Sequence, residues 1–310
     1  MRAGPLRIHG GVCDASGAVF IRPDKTEFLV ANDEDQGITH LRLYDADTDG
    51  PPPAEYPLDN GRLQPDAKNP EIDLEASAWL GNRIFWIGSH SRSKKGKARP
   101  SRHRLFATAL RKGKPEISGA PYTTLIEDLS KLLDYDIDPA LPPNDGGVSI
   151  EGLSATENAG ELLIGFRSPL ARKGRALVMS LRNADEVVDR GAPAKFGPPI
   201  CLDLGRLGIR SMDYWPERHT YLLIAGPPGG EPGEYCVMRW SGPLSSRPEV
   251  LDLFQFGDLT PDGAAPEALM IHRRSETLYV LFDEGNRSEG GVKCKDSENK
   301  SFRSVSLTGL

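Results

Sequence analysis

Residues 150–167 read IEGLSATENAGELLIGFR, and this stretch holds the repeating unit of the chain. An acidic residue, Glu151, opens a short apolar segment. A turn follows, and then a strongly β-forming run that ends on a polar residue, Arg167. A third strand, RALVMSL, and a fourth, PICLDL, complete the unit. The same pattern opens four more times: CDASGAVFI from Cys13, DLEASAWL from Asp73, IRSMDYWP from Ile209 and PEALMIHR from Pro266. The matching second strands are EFLVAND, RIFWIGSH, YLLIAGP and LYVLFDE, and the matching third strands HLRLYDA, HRLFATAL, EYCVMRW and FRSVSLTGL. Short strands repeated at a near-fixed period mark a radial all-β architecture, so the sequence predicts a five-bladed β-propeller of four-stranded blades.

The fifth unit stops at its third strand, whereas residues 5–11, PLRIHGG, precede the first opening and belong to no unit. The N-terminal strand is therefore expected to supply the outer strand of the last blade, beside residues 302–310, and to remove both open sheet edges. The second unit is the longest. Within it residues 123–134, TTLIEDLSKLLD, put Leu125, Leu129, Leu132 and Leu133 on one helical stripe, which predicts one short helix on the rim. Although 310 residues exceed the usual domain, closed all-β rings run long, and residues 1–310 are read as one domain.

Composition narrows the function classes. No run approaches a membrane-spanning length, and MRAGPLRIHGG lacks an apolar core of signal-peptide length. Cys13, Cys201, Cys236 and Cys294 lie far apart without a CxxC pair, so free thiols in a reducing cytoplasm are expected, and no structural zinc. The net charge of −6 argues against wholesale nucleic-acid binding. No GxSxG, P-loop or HExxH motif occurs, which disfavours a serine hydrolase, a nucleotide-driven motor and a zinc protease.

In a propeller blade the start of the first strand and the end of the second lie on one face, near the axis. Asp14, Glu75, Glu151, Arg210 and Glu267 start the first strands and form the expected ring. Facing carboxylates repel one another unless a cation sits among them, and Asp14, Glu75, Glu151 and Glu267 are the candidate metal ligands. An oxygen-only set suits Ca²⁺ first, with Mg²⁺ or Mn²⁺ as alternatives. The other reading of the ring is a structural lock, in which Arg210 pairs with Glu151 or Glu267. From the second-strand ends, Asn32, Asp33 and Asp283 are expected on the same face, and His90 is placed to handle a proton with Arg210 beside it.

A basic canopy is the second signal. Residues 92–104, RSKKGKARPSRHR, hold seven Lys or Arg, and the corresponding loop of the next unit adds Arg167, Arg172, Lys173 and Arg175. Arg92, Lys94, Lys95 and Arg167 are the candidate contacts to phosphate or carboxylate. The partner expected is thus a small anionic or phosphorylated compound, and the reaction expected is metal-assisted phosphoester hydrolysis. The alternative is a non-catalytic propeller that holds an anionic ligand or a protein partner through its basic loops.

The segments GVCDASGAVF, FLVANDED, GSHSRSKKGKARPSRHRLFAT, IEGLSAT, LLIGFRSP, IRSMDYWP, LLIAGP and PEAL, within residues 10–284, resemble the motifs of a bacterial family of uncharacterised function. That resemblance implies a propeller-like fold and no assigned activity. More distantly, the E-G/A-L openings and D-E strand ends are similar to esterase-like phytase propellers and to five-bladed calcium-dependent nucleotidases. Those groups imply calcium-assisted phosphoester hydrolysis, although Arg210 departs from a fully acidic ring.

Overall fold

Each unit of the repeat folds into one antiparallel sheet. Among the described residues of the computed structural model there are five four-stranded sheets and one two-stranded hairpin. Every residue is described except 23, 33–37, 64–65, 132–137, 230–232, 244, 246 and 252–263, and residue 60 only in its backbone. Blade one is Gly17–Phe20, Glu27–Ala31, His40–Asp45 and Ala54–Pro57. Blade two is Leu74–Leu80, Arg83–Gly88, Leu105–Arg111 and Lys114–Tyr122. Blade three is Ser149–Ala155, Leu162–Ser168, Ala176–Leu181 and Ile200–Leu202. Blade four is Gly208–Trp215, Thr220–Gly226, Cys236–Trp240 and Glu249–Val250.

Blade five joins both ends of the chain. Ala265–His272, Thr277–Asp283 and Ser301–Thr308 are followed outwards by Arg2–Gly10. The closing pair runs from Arg2 opposite Thr308 to Gly10 opposite Ser301, with a bulge between Ala3 and Leu6. The first strands of successive blades touch one another all the way round, and that of blade five touches that of blade one. The chain is therefore a closed five-bladed propeller.

No central core exists in such a ring; apolar side chains fill the gaps between neighbouring sheets. Among the described residues five buried clusters are found, one at each blade–blade boundary. The boundary between blades three and four shows how tight the fit is. A Cβ at Gly152 would lie 2.9 Å from Ile209 Cγ2, and one at Gly165 would lie 2.8 Å from the same atom. The glycines in IEGL and LIGF are thus demanded by the approach of the next blade.

Three short helices interrupt the strands among the described residues. Leu125–Ser130 lies inside the segment expected to be helical, with Leu125, Ile126 and Leu129 buried; Leu132 and Leu133 lie outside the described residues. Ala184–Arg190 was not expected. It turns Ala184, Val187 and Val188 inward and stops where Gly191 takes φ 61°. The third helix is the single turn Asn60–Leu63. No helix among the described residues is long and apolar enough to cross a membrane.

The cysteines require a correction. Cys13 and Cys294 form a disulfide across 281 residues of sequence, with their Cα atoms 5.9 Å apart; only Cys201 and Cys236 are free. Ring closure brings the start of blade one against the loop of blade five, a proximity that spacing along the chain does not reveal. The thiol argument for a reducing compartment loses its basis.

Candidate functional site

The charged openings reach the axis by a local device. In blades two to five the inner pair of strands slips register at the charged residue: between Leu74 and Ala76, Ile150 and Gly152, Ile209 and Ser211, and Pro266 and Ala268. Glu75, Glu151, Arg210 and Glu267 are therefore the extra residues of β-bulges. A bulge bends its strand and re-aims one side chain, here out of the sheet faces and towards the channel. Asp14 arrives differently, three residues before its strand, held by a 2.9 Å bond from Ser16 Oγ to its carboxylate.

Asp14, Glu75, Arg210 and Glu267, with Arg167 and Asp283 from the second-strand ends, border a cavity of about 780 Å³ at one mouth of the channel, while Glu151 is buried behind it. Its lining carries the carboxylates Asp14, Glu71, Asp73, Glu75, Glu267, Asp283 and Asp296 and the cations Arg92, Lys94, Arg102, Arg167 and Arg210. Lys295 and Lys300 contribute from the loop that the disulfide ties to Cys13.

Glu151 is committed to arginine. Arg167 Nη1 donates to its Oε1 at 2.6 Å and Arg210 Nη1 to its Oε2 at 2.7 Å. Arg210 also donates to the Tyr235 hydroxyl at 3.0 Å and stacks its guanidinium on that ring. Across the cavity, Arg102 pairs with Glu71 at 2.5 Å and with Asp73 at 2.9 Å. Asp73 holds the left-handed conformation, φ 58°, and accepts a short hydrogen bond from Ser89. Burial pushes its carboxyl up to about 6, against the pull of Arg102.

The remaining carboxylates have less cationic support. Oxygens of Asp14, Glu267 and Asp283 lie within 4.8 Å of one another, as do those of Glu75, Glu151 and Glu267. Glu267 belongs to both groups. Burial first, then the negative charges of Asp283 and Glu151, push its carboxyl up to about 8, and Arg210 only partly offsets them. Glu267 Oε2 is buried without a hydrogen-bond partner. Asp283 is raised as well, chiefly by burial.

The other residues expected at the site are placed as follows. His90 is buried and does not line the cavity. Its Nδ1 contacts the Gly88 carbonyl at 2.8 Å, and its ring lies against His103 at 5.4 Å. Burial, followed by the His103 charge, lowers it to about 3, so it stays neutral and poorly basic. Asn32 is buried away from the cavity, Lys95 does not border it, and Asp33 lies outside the described residues. Of the two basic loops, Arg92, Lys94, Arg102 and Arg167 reach the cavity. Arg104 turns inward to the carbonyls of Leu63, Pro100 and His103, and Arg175 borders a different depression. Arg102, Glu71, Asp73, Lys295 and Lys300 were not singled out from sequence; the first lay within the basic run, and the last two follow a cysteine whose partner was unknown.

Fold and site together define a closed five-bladed propeller with a densely charged cavity at one end of its axis. The chain belongs to DUF3616, a family described as protein of unknown function, whose model matches residues 16–112 and 103–283. No curated protein matches the chain. Among solved structures it is similar to the RRP9 WD40 repeats, at 11% identity over 98% of this chain and 97% of that one, with a TM-score of 0.43. It is also similar to the β-propeller domain of Myceliophteria thermophila Cps50 (Swd1), at 7% identity over 99% of this chain and all of that one (100%), with a TM-score of 0.44.

Proposed function

We propose that the axial cavity binds a small phosphorylated compound together with a divalent cation, and that it supports hydrolysis of the phosphoester. One observation carries the reading: the crowded carboxylates of Asp14, Glu267 and Asp283 open on the same cavity as Arg92, Lys94, Arg102 and Arg167. The donor set is all oxygen, which suits a hard cation, Ca²⁺ ahead of Mg²⁺ or Mn²⁺. The orphaned Glu267 Oε2 is the atom that such an ion would satisfy. When bound, the cation would polarise a phosphoryl oxygen and lower the pKa of water. The chain's own cations Arg92, Arg167 and Lys94 would hold the non-reacting charge, while Arg102 stays on Glu71 and Asp73. Proton handling falls to Asp73, raised to about 6 and bordering the cavity, instead of to His90. Glu75 and Glu267 support the ion from the ring side, while Glu151 and Arg210 brace it.

The test uses protein stripped with EDTA, then supplied with Ca²⁺, Mg²⁺ or Mn²⁺, with melting temperature, bound metal and release of phosphate from p-nitrophenyl phosphate and pyrophosphate as readouts. A bound ion raises the melting temperature by mass action. Stabilisation by Ca²⁺ that Glu267→Gln and Asp283→Asn abolish is expected, with cation-dependent turnover that Arg167→Ala weakens. Stabilisation and phosphate binding without turnover would replace hydrolysis by ligand binding. No response to any cation would overturn the metal reading.

A further inference from the structure

The axis has a second mouth. The opposite ends of the same inner strands enclose a cavity of about 300 Å³, within the range of small-molecule sites. Its lining is mixed: Val19, Ile21 and Trp79 are its half-buried apolar side chains, whereas Phe20, Tyr214, Leu269 and Met270 are almost wholly buried between the blades behind them. Trp79 is held in place because its indole Nε1 donates to the Phe20 carbonyl at 2.8 Å. The indole of Trp79 offers a planar apolar face to an aromatic ring.

Two opposite charges and one hydroxyl interrupt the wall: Asp213, Arg273 and Ser77. Asp213 comes from blade four and accepts the backbone N–H groups of Tyr214 at 2.8 Å and Ile271 at 3.2 Å, which bridges it to blade five. A carboxylate offers about four acceptor sites, so two backbone bonds leave capacity for a ligand donor. The group is deep enough for burial to raise its carboxyl to about 6, yet it keeps partial exposure through the cavity. Arg273 acts on it electrostatically, but no ion pair joins the two side chains among the described residues. Ser77 Oγ is buried at the cavity wall with no hydrogen-bond partner.

We propose that this second mouth binds a small zwitterionic aromatic compound of the α-amino acid type. Its ring lies against Trp79 beside Val19 and Ile21, its ammonium faces Asp213, and its carboxylate faces Arg273. A purely apolar occupant would leave a buried carboxylate with less solvent and no new partner, and an anion would meet Asp213 repulsion. A zwitterion satisfies both charges while the pocket stays neutral overall. The site lies at the other end of the axis from the charged cavity and does not depend on what that cavity does.

Isothermal titration with L-phenylalanine, phenethylamine and 3-phenylpropionate tests the proposal. L-Phenylalanine should saturate at one per chain, and each analogue, lacking one charge, should bind about tenfold more weakly, the scale of one charge-assisted hydrogen bond. Asp213→Asn should weaken L-phenylalanine and phenethylamine but strengthen 3-phenylpropionate, which it no longer repels. Because Asp213 also bridges two blades, Arg273→Ala is the second variant; it leaves those bonds intact and should weaken L-phenylalanine and 3-phenylpropionate alone. No binding of L-phenylalanine, equal binding of all three compounds, or indifference to both variants would overturn it.

Discussion

Replacing Glu151 by Gln separates a lock from a ligand at the channel mouth. Glu151 is 1% exposed and accepts from Arg167 at 2.6 Å and Arg210 at 2.7 Å. Gln keeps the shape and one acceptor oxygen, but its amide nitrogen turns a donor towards the second arginine. One charge-assisted bond is lost, and two largely buried guanidiniums keep no carboxylate between them. Removing one partner from a buried ion pair costs about 3–5 kcal/mol. The retained oxygen puts Glu151→Gln near the lower end, about 3 kcal/mol. With an unfolding entropy of about 2.1 cal/mol/K per residue, a chain of this length should lose roughly 5 °C in melting temperature. Scanning calorimetry in EDTA and in Ca²⁺ should show the same loss in both, since the lock involves no ion. Glu267→Gln is the contrasting variant: its carboxyl is repelled by Asp283 and Glu151, so the amide should not destabilise the protein in EDTA. A Glu151→Gln protein within about 1 °C of wild type in EDTA, on the same entropy scale, would refute the lock.

Four further outcomes are expected. Denatured but unreduced protein should titrate two thiols, from Cys201 and Cys236, and four after reduction; four without reduction would remove the disulfide between Cys13 and Cys294. His9 is buried, contacts Ser304 Oγ at 2.8 Å, stacks on Phe302, and is lowered from 6.5 to about 4, chiefly by burial. Its unfolded form therefore binds the proton first, so its contribution to stability is full above pH 6.5 and is lost as pH falls towards 4. The loss at pH 5 is about 2 kcal/mol, and the melting temperature of His9→Phe should fall less between pH 7.5 and 5 than that of wild type. Glu267 has the opposite sign: its carboxyl is raised, so in EDTA its contribution falls as pH rises from about 4.5 to about 8, a trend that Glu267→Gln should remove. Deleting residues 1–11 strips Arg2–Gly10 from Ser301–Thr308 and exposes an edge, so insolubility or a large loss of melting temperature is expected; a stable truncation would refute closure by that strand.

The blades were legible because each needs the same apolar alternation and the same turns, and a repeat shows itself five times over. Closure was legible from an orphan strand at one end and a missing strand at the other. The helix Ala184–Arg190 was not, because its apolar stripe of Ala184, Val187 and Val188 is too short to stand out from a loop. The positions of the ring residues followed from the repeat, but their partners did not. Glu75, Glu151 and Glu267 look equivalent as letters. Which carboxylate meets an arginine depends on side chains from neighbouring blades, and sequence distance carries no trace of that. His90 shows the limit most plainly: its place at a strand end suggested the cavity, yet φ 56° at that residue accompanies a side chain buried beside His103.

The difference among the carboxylates follows from a single substitution in the repeat. In blades two, three and five the bulge presents a carboxylate; in blade four it presents Arg210. Arg210 neutralises its neighbour Glu151 jointly with Arg167, at the cost of charge balance further round the ring. Glu267, on the other side of Arg210, shares its field without a direct bond and faces Asp283 as well. One cation among several carboxylates cannot satisfy them all, and geometry gives it to Glu151. The charge left over gathers at Asp14, Glu267 and Asp283, the sector nearest the seam where the chain ends meet. A five-fold repeat thereby yields a crowded acidic cluster at that seam, while Arg92, Lys94 and Arg102 of blade two and Arg167 of blade three line the same cavity. Reversing Arg210 should test that logic: Arg210→Gln would leave Glu151 with Arg167 alone, raise the Glu267 carboxyl further, and tighten any cation response. A weaker cation response in Arg210→Gln would mean that Arg210 supports the acidic sector instead of competing for its charge.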